Sequence, residues 1–235
     1  MKKREKCFAL KEWCLLIGSF VLIVGAYLIF DRGQPLKLIA SLIGATAIIF
    51  AGKGNPVAQI LFVAFSLIYG YISFFCAYYG EMLTYVGMTL PMSVFSFITW
   101  LKNPYSSESS QVRVNHLKAK EIPFMAVLTV IVTVGFYFIL KVFGTANLIV
   151  STFSVATSFL AVYLTFRRSP FYALAYALND IVLIVLWLLA AIANPSYFSV
   201  VACFIAFFVN DINGFLSWRK MQREQNLPTQ PTEIL

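Results

Sequence analysis

The chain has 235 residues, of which 60% are hydrophobic and only 12% charged, with a mean hydropathy of +0.80. A soluble domain carries roughly 25% charge, so a large water-soluble enzyme, a disordered chain and a disulfide-built secreted scaffold are excluded. The formal charge of +8 does not point to nucleic acid, because the basic residues flank apolar runs, where they report membrane sidedness.

Apolar stretches long enough to cross a hydrocarbon core of about 30 Å recur from Trp13 to Trp218. They predict eight spans, over residues 13–30, 34–51, 56–79, 82–101, 123–143, 147–166, 170–193 and 197–217. The basic N-terminus followed by an apolar run resembles a signal peptide, but the run is long enough to span and further spans follow, so a retained first helix is expected. Pro35, Pro56, Pro123, Pro170 and Pro195 stand at or just before span starts, where a missing N–H costs nothing. Pro91 lies inside the fourth span and predicts a kink or a freed carbonyl that neighbouring helices must satisfy.

Assigned to alternate sides of eight spans, Lys and Arg divide fifteen to three. The poor side holds only Arg32, Lys37 and Lys141; the rich side takes the N-terminal cluster, Lys53, the loop after Trp100, Arg167, Arg168 and the residues after Trp218. This asymmetry predicts that both termini face the cytoplasm.

Spans two to four also echo spans six to eight. Lys37-Leu38-Ile39 matches Asn147-Leu148-Ile149, Gly54-Asn55-Pro56 matches Arg168-Ser169-Pro170, and Trp100-Leu101-Lys102 matches Trp218-Arg219-Lys220. A single linking span leaves the two triplets in the same orientation. The expected fold is an all-α integral membrane protein with one extra N-terminal helix and a 3+1+3 core of parallel three-helix repeats. Its segments are a basic N-terminus and extra helix (1–33), a first repeat (34–101), a cytoplasmic loop (102–122), a linker helix (123–146), a second repeat (147–218) and a disordered cytoplasmic tail (219–235).

Ionisable groups inside a bilayer are costly, which makes the few that remain candidates for function. Asp180 lies about ten residues into span seven, roughly 15 Å deep and near the midplane; Asp211 lies in span eight. Each follows an asparagine, giving Asn179-Asp180 and Asn210-Asp211, and Asn213 shares a helix face with Asn210. Tyr172, Tyr176, Asn179 and Asp180 fall on one side of span seven, and Trp187 continues that face. Tyr69 lies in the middle of span three, Asn55 opens it, and Tyr78, Tyr79, Glu81 and Met82 mark its outer end. Aromatic rings beside amide and carboxyl groups suit a flat heterocycle joined to a hydroxylated sugar. The candidate binding residues are therefore Asn179, Asp180, Tyr176, Trp187, Asn210, Asp211, Asn213, Tyr69 and Asn55, with Glu81 and Tyr172 as gates or supports. Their structural alternative is interhelical hydrogen bonding, worth about 0.6 to 2 kcal/mol per bond, and plain aromatic packing. Asp180 aligns only with Ser66 of the first triplet, so the polar groups concentrate in the second.

No ATP-binding loop, HExxH motif or G-x-S-x-G elbow occurs, and the single His116 lies in the basic loop, where solvation is expected. Cys7, Cys14, Cys76 and Cys203 show neither zinc nor redox spacing and are expected as reduced thiols. Neither catalytic residues nor a metal or cofactor are expected. Facilitated diffusion is the simplest mechanism; ion coupling through Asp180 and Asp211, or a non-transporting membrane enzyme or scaffold, remain the alternatives.

Lys53-Gly54-Asn55, Tyr78-Tyr79-Gly80-Glu81-Met82, Pro91, Trp100, Asn179-Asp180 and Gly214-Phe215-Leu216-Ser217-Trp218-Arg219 together resemble the PnuC family of bacterial vitamin transporters, from about Lys37 to Lys220. The resemblance implies a SWEET-related fold in the bacterial inner membrane and a midplane site for a dephosphorylated vitamin or nucleoside. It further implies energy-independent transport of that small molecule across the lipid bilayer, with trapping through phosphorylation by a cytoplasmic kinase. Nicotinamide riboside is the first expectation. Where many members that carry it have a tryptophan pair, this chain has Ala173 and Tyr176, so thiamine, riboflavin and deoxynucleosides stay open. A homo-oligomer is compatible with the sequence; a nucleic-acid partner is not expected.

Overall fold

The computed structural model describes residues 9–75, 79–106 and 109–227. Lys2, Lys3, Arg4, Lys6, Cys7, Cys76, Tyr78 and the tail beyond residue 227 lie outside the described residues. The helices are α1 (Leu10–Phe30), α2 (Pro35–Gly52), α3 (Val57–Phe75), α4 (Tyr79–Thr84), α5 (Leu90–Leu101), α6 (Glu121–Val142), α7 (Leu148–Phe166), α8 (Phe171–Ala193) and α9 (Phe198–Gln225). A π-helical segment, Tyr85–Thr89, joins α4 to α5 into one span, and a 3₁₀ turn, Pro195–Tyr197, precedes α9. Among the described residues, eight helices are long and apolar enough to cross a membrane, and one isolated β-bridge, Pro104 to Val112, is the sole strand-like pairing.

Six helices close into a ring in the order α2, α3, α5, α7, α8, α9, with α9 returning to α2. The third helix of each triplet thus packs against the first helix of the other. Lipid removes the hydrophobic drive between helices, so packing and interhelical hydrogen bonds must hold such a ring. Two matched bonds do so: Trp100 Nε1 donates to Thr165 O at 2.9 Å and Trp218 Nε1 donates to Ala51 O at 2.7 Å. Both acceptors are last-turn carbonyls, free of helical donors by necessity. The two indoles, fully buried, meet with ring centroids 5.4 Å apart. Gly54 and Arg168 both adopt left-handed backbone, at φ 68° and 56°, in the turns after α2 and α7. The repeat is therefore structural as well as sequential, and its two halves run in parallel.

Outside the ring, α1 lies against α9 and α2, while α6 lies against α7. The loops that carry Lys53, Arg113 and Arg168 and the end of α9 meet at one end of the helices, where they bind one another: Val112 N donates to Gly54 O, Asn115 N to Arg168 O, and Gln225 Nε2 to Val112 O. The same contacts correct the expectation of a disordered tail from residue 219. Helix α9 continues to Gln225, where Gln225 Oε1 accepts from Val114 N, and Gln222 and Asn226 reach the exposed His116 ring. Cys203 is buried and Cys14 exposed.

The π-helical segment answers the Pro91 expectation. Leu90 N donates to Tyr85 O, a five-residue step, which accommodates the donor that Pro91 lacks. Thr89 and Thr84 hydroxyls then bond Thr84 O and Gly80 O.

Candidate functional site: a cavity inside the helix ring

Helix α8 carries a stripe that runs the length of the ring, and three levels follow from it. Nearest the basic side, Tyr172 is buried against Trp218, with ring centroids 4.9 Å apart, and with Trp100 it forms an aromatic plug. Above it opens a central cavity, lined by residues of α2, α3, α4, α7, α8 and α9. Above that, an outer cavity is lined by Gly80, Glu81, Asn147, Ser151 and Trp187 among others.

Tyr176, Asn179, Asp180 and Asp211 all line the central cavity, so four of the residues singled out in the sequence converge on one space. Glu81 lines it too, and also the outer cavity, so it stands at the junction. Asn179 is held by α7: its Oδ1 accepts from Thr157 Oγ1 at 2.8 Å, Ser158 Oγ at 3.0 Å and Ser154 Oγ at 3.5 Å. With the carbonyl end so engaged, the amide N–H donors remain for the cavity. Asp180 and Asp211 are buried and lie within side-chain hydrogen-bonding reach of each other. Tyr176 stacks on Phe62 across the cavity wall, with centroids 6.2 Å apart and planes inclined by 16°.

The other predicted residues lie elsewhere. Trp187 lines the outer cavity and packs on Tyr197. Tyr69 is buried beside Phe65 and Tyr85, behind the cavity wall. Asn210 faces α1, donating through Nδ2 to Ser19 Oγ at 2.8 Å, and so ties the outlying helix to the ring. Asn213 follows on α9 outside the residues that line the cavity. Asn55 is a helix cap, accepting from Val57 N at 2.9 Å, and it lines a separate cavity on the basic side. Tyr172 sits in the plug, on the basic side of the cavity.

Sequence reasoning missed Phe62, Phe65, Thr84, Tyr85, Thr89, Ser154, Ser158, Phe204 and Phe207, all of which line the central cavity. Some were detectable. Phe62 and Phe65 align with Tyr176 and Asn179 across the repeat, and Ser154, Thr157 and Ser158 recur at the spacing of one helix face.

The comparisons with known proteins agree with this architecture. The family described as nicotinamide mononucleotide transporter matches residues 34–220. A relative named nicotinamide riboside transporter PnuC, from Neisseria mucosa, is 24% identical over 220 residues, covering 91% of this chain and 82% of its own length. The crystal structure of the vitamin B3 transporter PnuC superposes with a TM-score of 0.80 at 19% identity, covering 93% of this chain and 94% of that one. These relatives are transporters and not enzymes. With a family match that spans both triplets and the linker between them, the chain belongs to the PnuC family of multi-pass membrane transporters.

Proposed function

We propose that the protein is a facilitative uniporter for a nucleoside-like vitamin, with nicotinamide riboside as its first substrate. The observation that carries this assignment is the central cavity, where a stacked aromatic pair, a fixed amide and two carboxyl groups meet inside the ring. Tyr176 and Phe62 supply a face for the heterocycle, while the Asn179 amide and the Asp180 and Asp211 carboxyls hydrogen-bond the ribose and carboxamide. The names of the relatives support the substrate.

Glu81 and Trp187 serve the outer approach, and the plug of Trp100, Trp218 and Tyr172 closes the opposite side. The fifteen-to-three distribution of basic residues supports a bacterial inner-membrane orientation with both termini in the cytoplasm. Transport then needs no energy source, because phosphorylation by a cytoplasmic kinase adds charge and retains the product. Asn55 and Asn210 take structural roles, as cap and interhelical tie.

Uptake of radiolabelled nicotinamide riboside into proteoliposomes tests the assignment. Uniport predicts equilibration without accumulation, unchanged by a pH or Na⁺ gradient, and accelerated counterflow from preloaded vesicles. Concentrative uptake driven by either gradient would replace uniport with ion coupling. Uptake of thiamine, riboflavin or a deoxynucleoside with nicotinamide riboside inert would replace the substrate.

A further inference from the structure

Three carboxyl side chains from three helices share the central cavity: Glu81 of α4, Asp180 of α8 and Asp211 of α9. No Lys, Arg or His is among the residues that line this cavity or the outer one. Among the described residues the ion pairs lie elsewhere, at Lys37–Asp31, Lys53–Glu12, Arg167–Glu121 and Lys220–Glu224. The other titratable groups around the pair are tyrosines and one thiol: Tyr85, Tyr176 and Cys203 beside Asp180, Tyr172 and Tyr176 beside Asp211, and Tyr69 next to Tyr85. Asp180 is only 3% exposed, and its Oδ2 is buried without a hydrogen-bond donor.

Carboxyl groups inside a membrane ordinarily pair with a basic side chain, since an uncompensated charge in hydrocarbon is costly. Here the protein supplies only the acidic half: Asp180 and Asp211, in hydrogen-bonding reach of each other, share one proton and leave one negative charge on the pair. The space beside the carboxyls is walled by aromatic rings, Phe62, Phe65 and Tyr176 among them, and aromatic faces stabilise a delocalised cation. Among the described residues no group of His, Cys, Asp or Glu is arranged to hold a metal ion. The missing partner is therefore an organic cation.

We propose that this cavity reads positive charge: it selects a solute with a cationic heteroaromatic ring over its neutral isostere, through Asp180 and Asp211, with Glu81 as the acidic group at the entrance. The assignment deepens the transport function above and rests on it. A neutral nucleoside or flavin would leave the carboxyl pair without its counter-charge, and a phosphorylated solute would bring a like charge past Glu81. Pyridinium and thiazolium compounds meet the requirement.

The test is isothermal titration of the full-length protein in detergent with oxidised nicotinamide riboside, a cation, and with its 1,4-dihydro form, neutral and otherwise nearly the same shape. Thiamine and riboflavin serve as a second cationic and neutral pair. The cation is expected to bind at least roughly tenfold tighter, since leaving a buried charge without its partner has a large effect on affinity. Asp180→Asn and Asp211→Asn, nearly isosteric, are each expected to reduce that preference to about threefold or less. Equal affinity of the oxidised and dihydro forms in the wild type would overturn the proposal without recourse to any variant. So would an unchanged preference in both variants, tighter binding of riboflavin than of any cation, or failure of every cation to bind. Binding of thiamine but not of the riboside would instead remove nicotinamide riboside as the substrate and leave charge selection standing.

Discussion

Trp218→Phe isolates the interaction that joins the two repeats. The substitution removes one buried bond to Ala51 O, worth about 0.5–1.5 kcal/mol net. Ala51 O keeps the Gly54 N–H at 2.8 Å, so no carbonyl is orphaned. The smaller ring also leaves a void between Trp100 and Tyr172, whose ring centroids lie 5.4 and 4.9 Å from that of Trp218. Partial truncation of a fully buried aromatic costs about 1–2 kcal/mol, less than removal of the whole ring. The expected loss is therefore about 1.5–3.5 kcal/mol. Trp100→Phe faces the same terms, because Thr165 O keeps the Arg168 N–H at 3.0 Å, so its loss should agree within about 1 kcal/mol. In the double variant the losses should not add, the two rings being coupled by about 0.5–1.5 kcal/mol. SDS-titration unfolding in mixed micelles, followed by far-UV circular dichroism, measures all three. A large loss at one tryptophan with none at the other, or strict additivity, would refute the pseudo-symmetric plug.

Asn179→Leu should lower stability by about 1–3 kcal/mol, since Ser154 and Ser158 lose a shared acceptor whereas Thr157 retains the Phe153 and Ser154 carbonyls. It should also abolish the ligand-induced rise in unfolding temperature; retention of that rise would place the solute away from Asn179. Lys37→Met strips the partner from Asp31, 3.1 Å away and 7% exposed, so a loss of about 3 kcal/mol is expected. Lys220→Ala, at a pair more than half exposed on both sides, should change unfolding by about 0.5 kcal/mol or less. Gly44→Ala would put a methyl 2.5 Å from Phe207 Cζ and 3.1 Å from Phe65, both cavity-wall rings. Overpacking of about 1–3 kcal/mol and weaker binding should follow, and unchanged titration isotherms would count against the cavity as the site. Pro91→Ala should let the Tyr85–Thr89 segment regularise towards α-helix, turning Glu81 relative to α5; transport should slow while the protein still purifies as a monodisperse species.

The span count and the parallel repeat were legible in the chain because a bilayer imposes them along one dimension. Length of apolar run and the Gly54-Asn55-Pro56 and Arg168-Ser169-Pro170 turns need no tertiary information. The stripe on α8 was legible as well, since Tyr176, Asn179 and Asp180 fall on one side of a helix at fixed spacing. That Asn210 turns to Ser19 on α1, while the adjacent Asp211 meets Asp180, was not. Nor was the aromatic wall of Phe62, Phe65, Phe204 and Phe207, which sequence cannot tell from lipid-facing phenylalanines such as Phe138 and Phe153. The reason is physical. In water, hydropathy separates the inside of a fold from its outside; in lipid, both faces of a helix are apolar, and only the closing of the ring decides which one looks into the cavity.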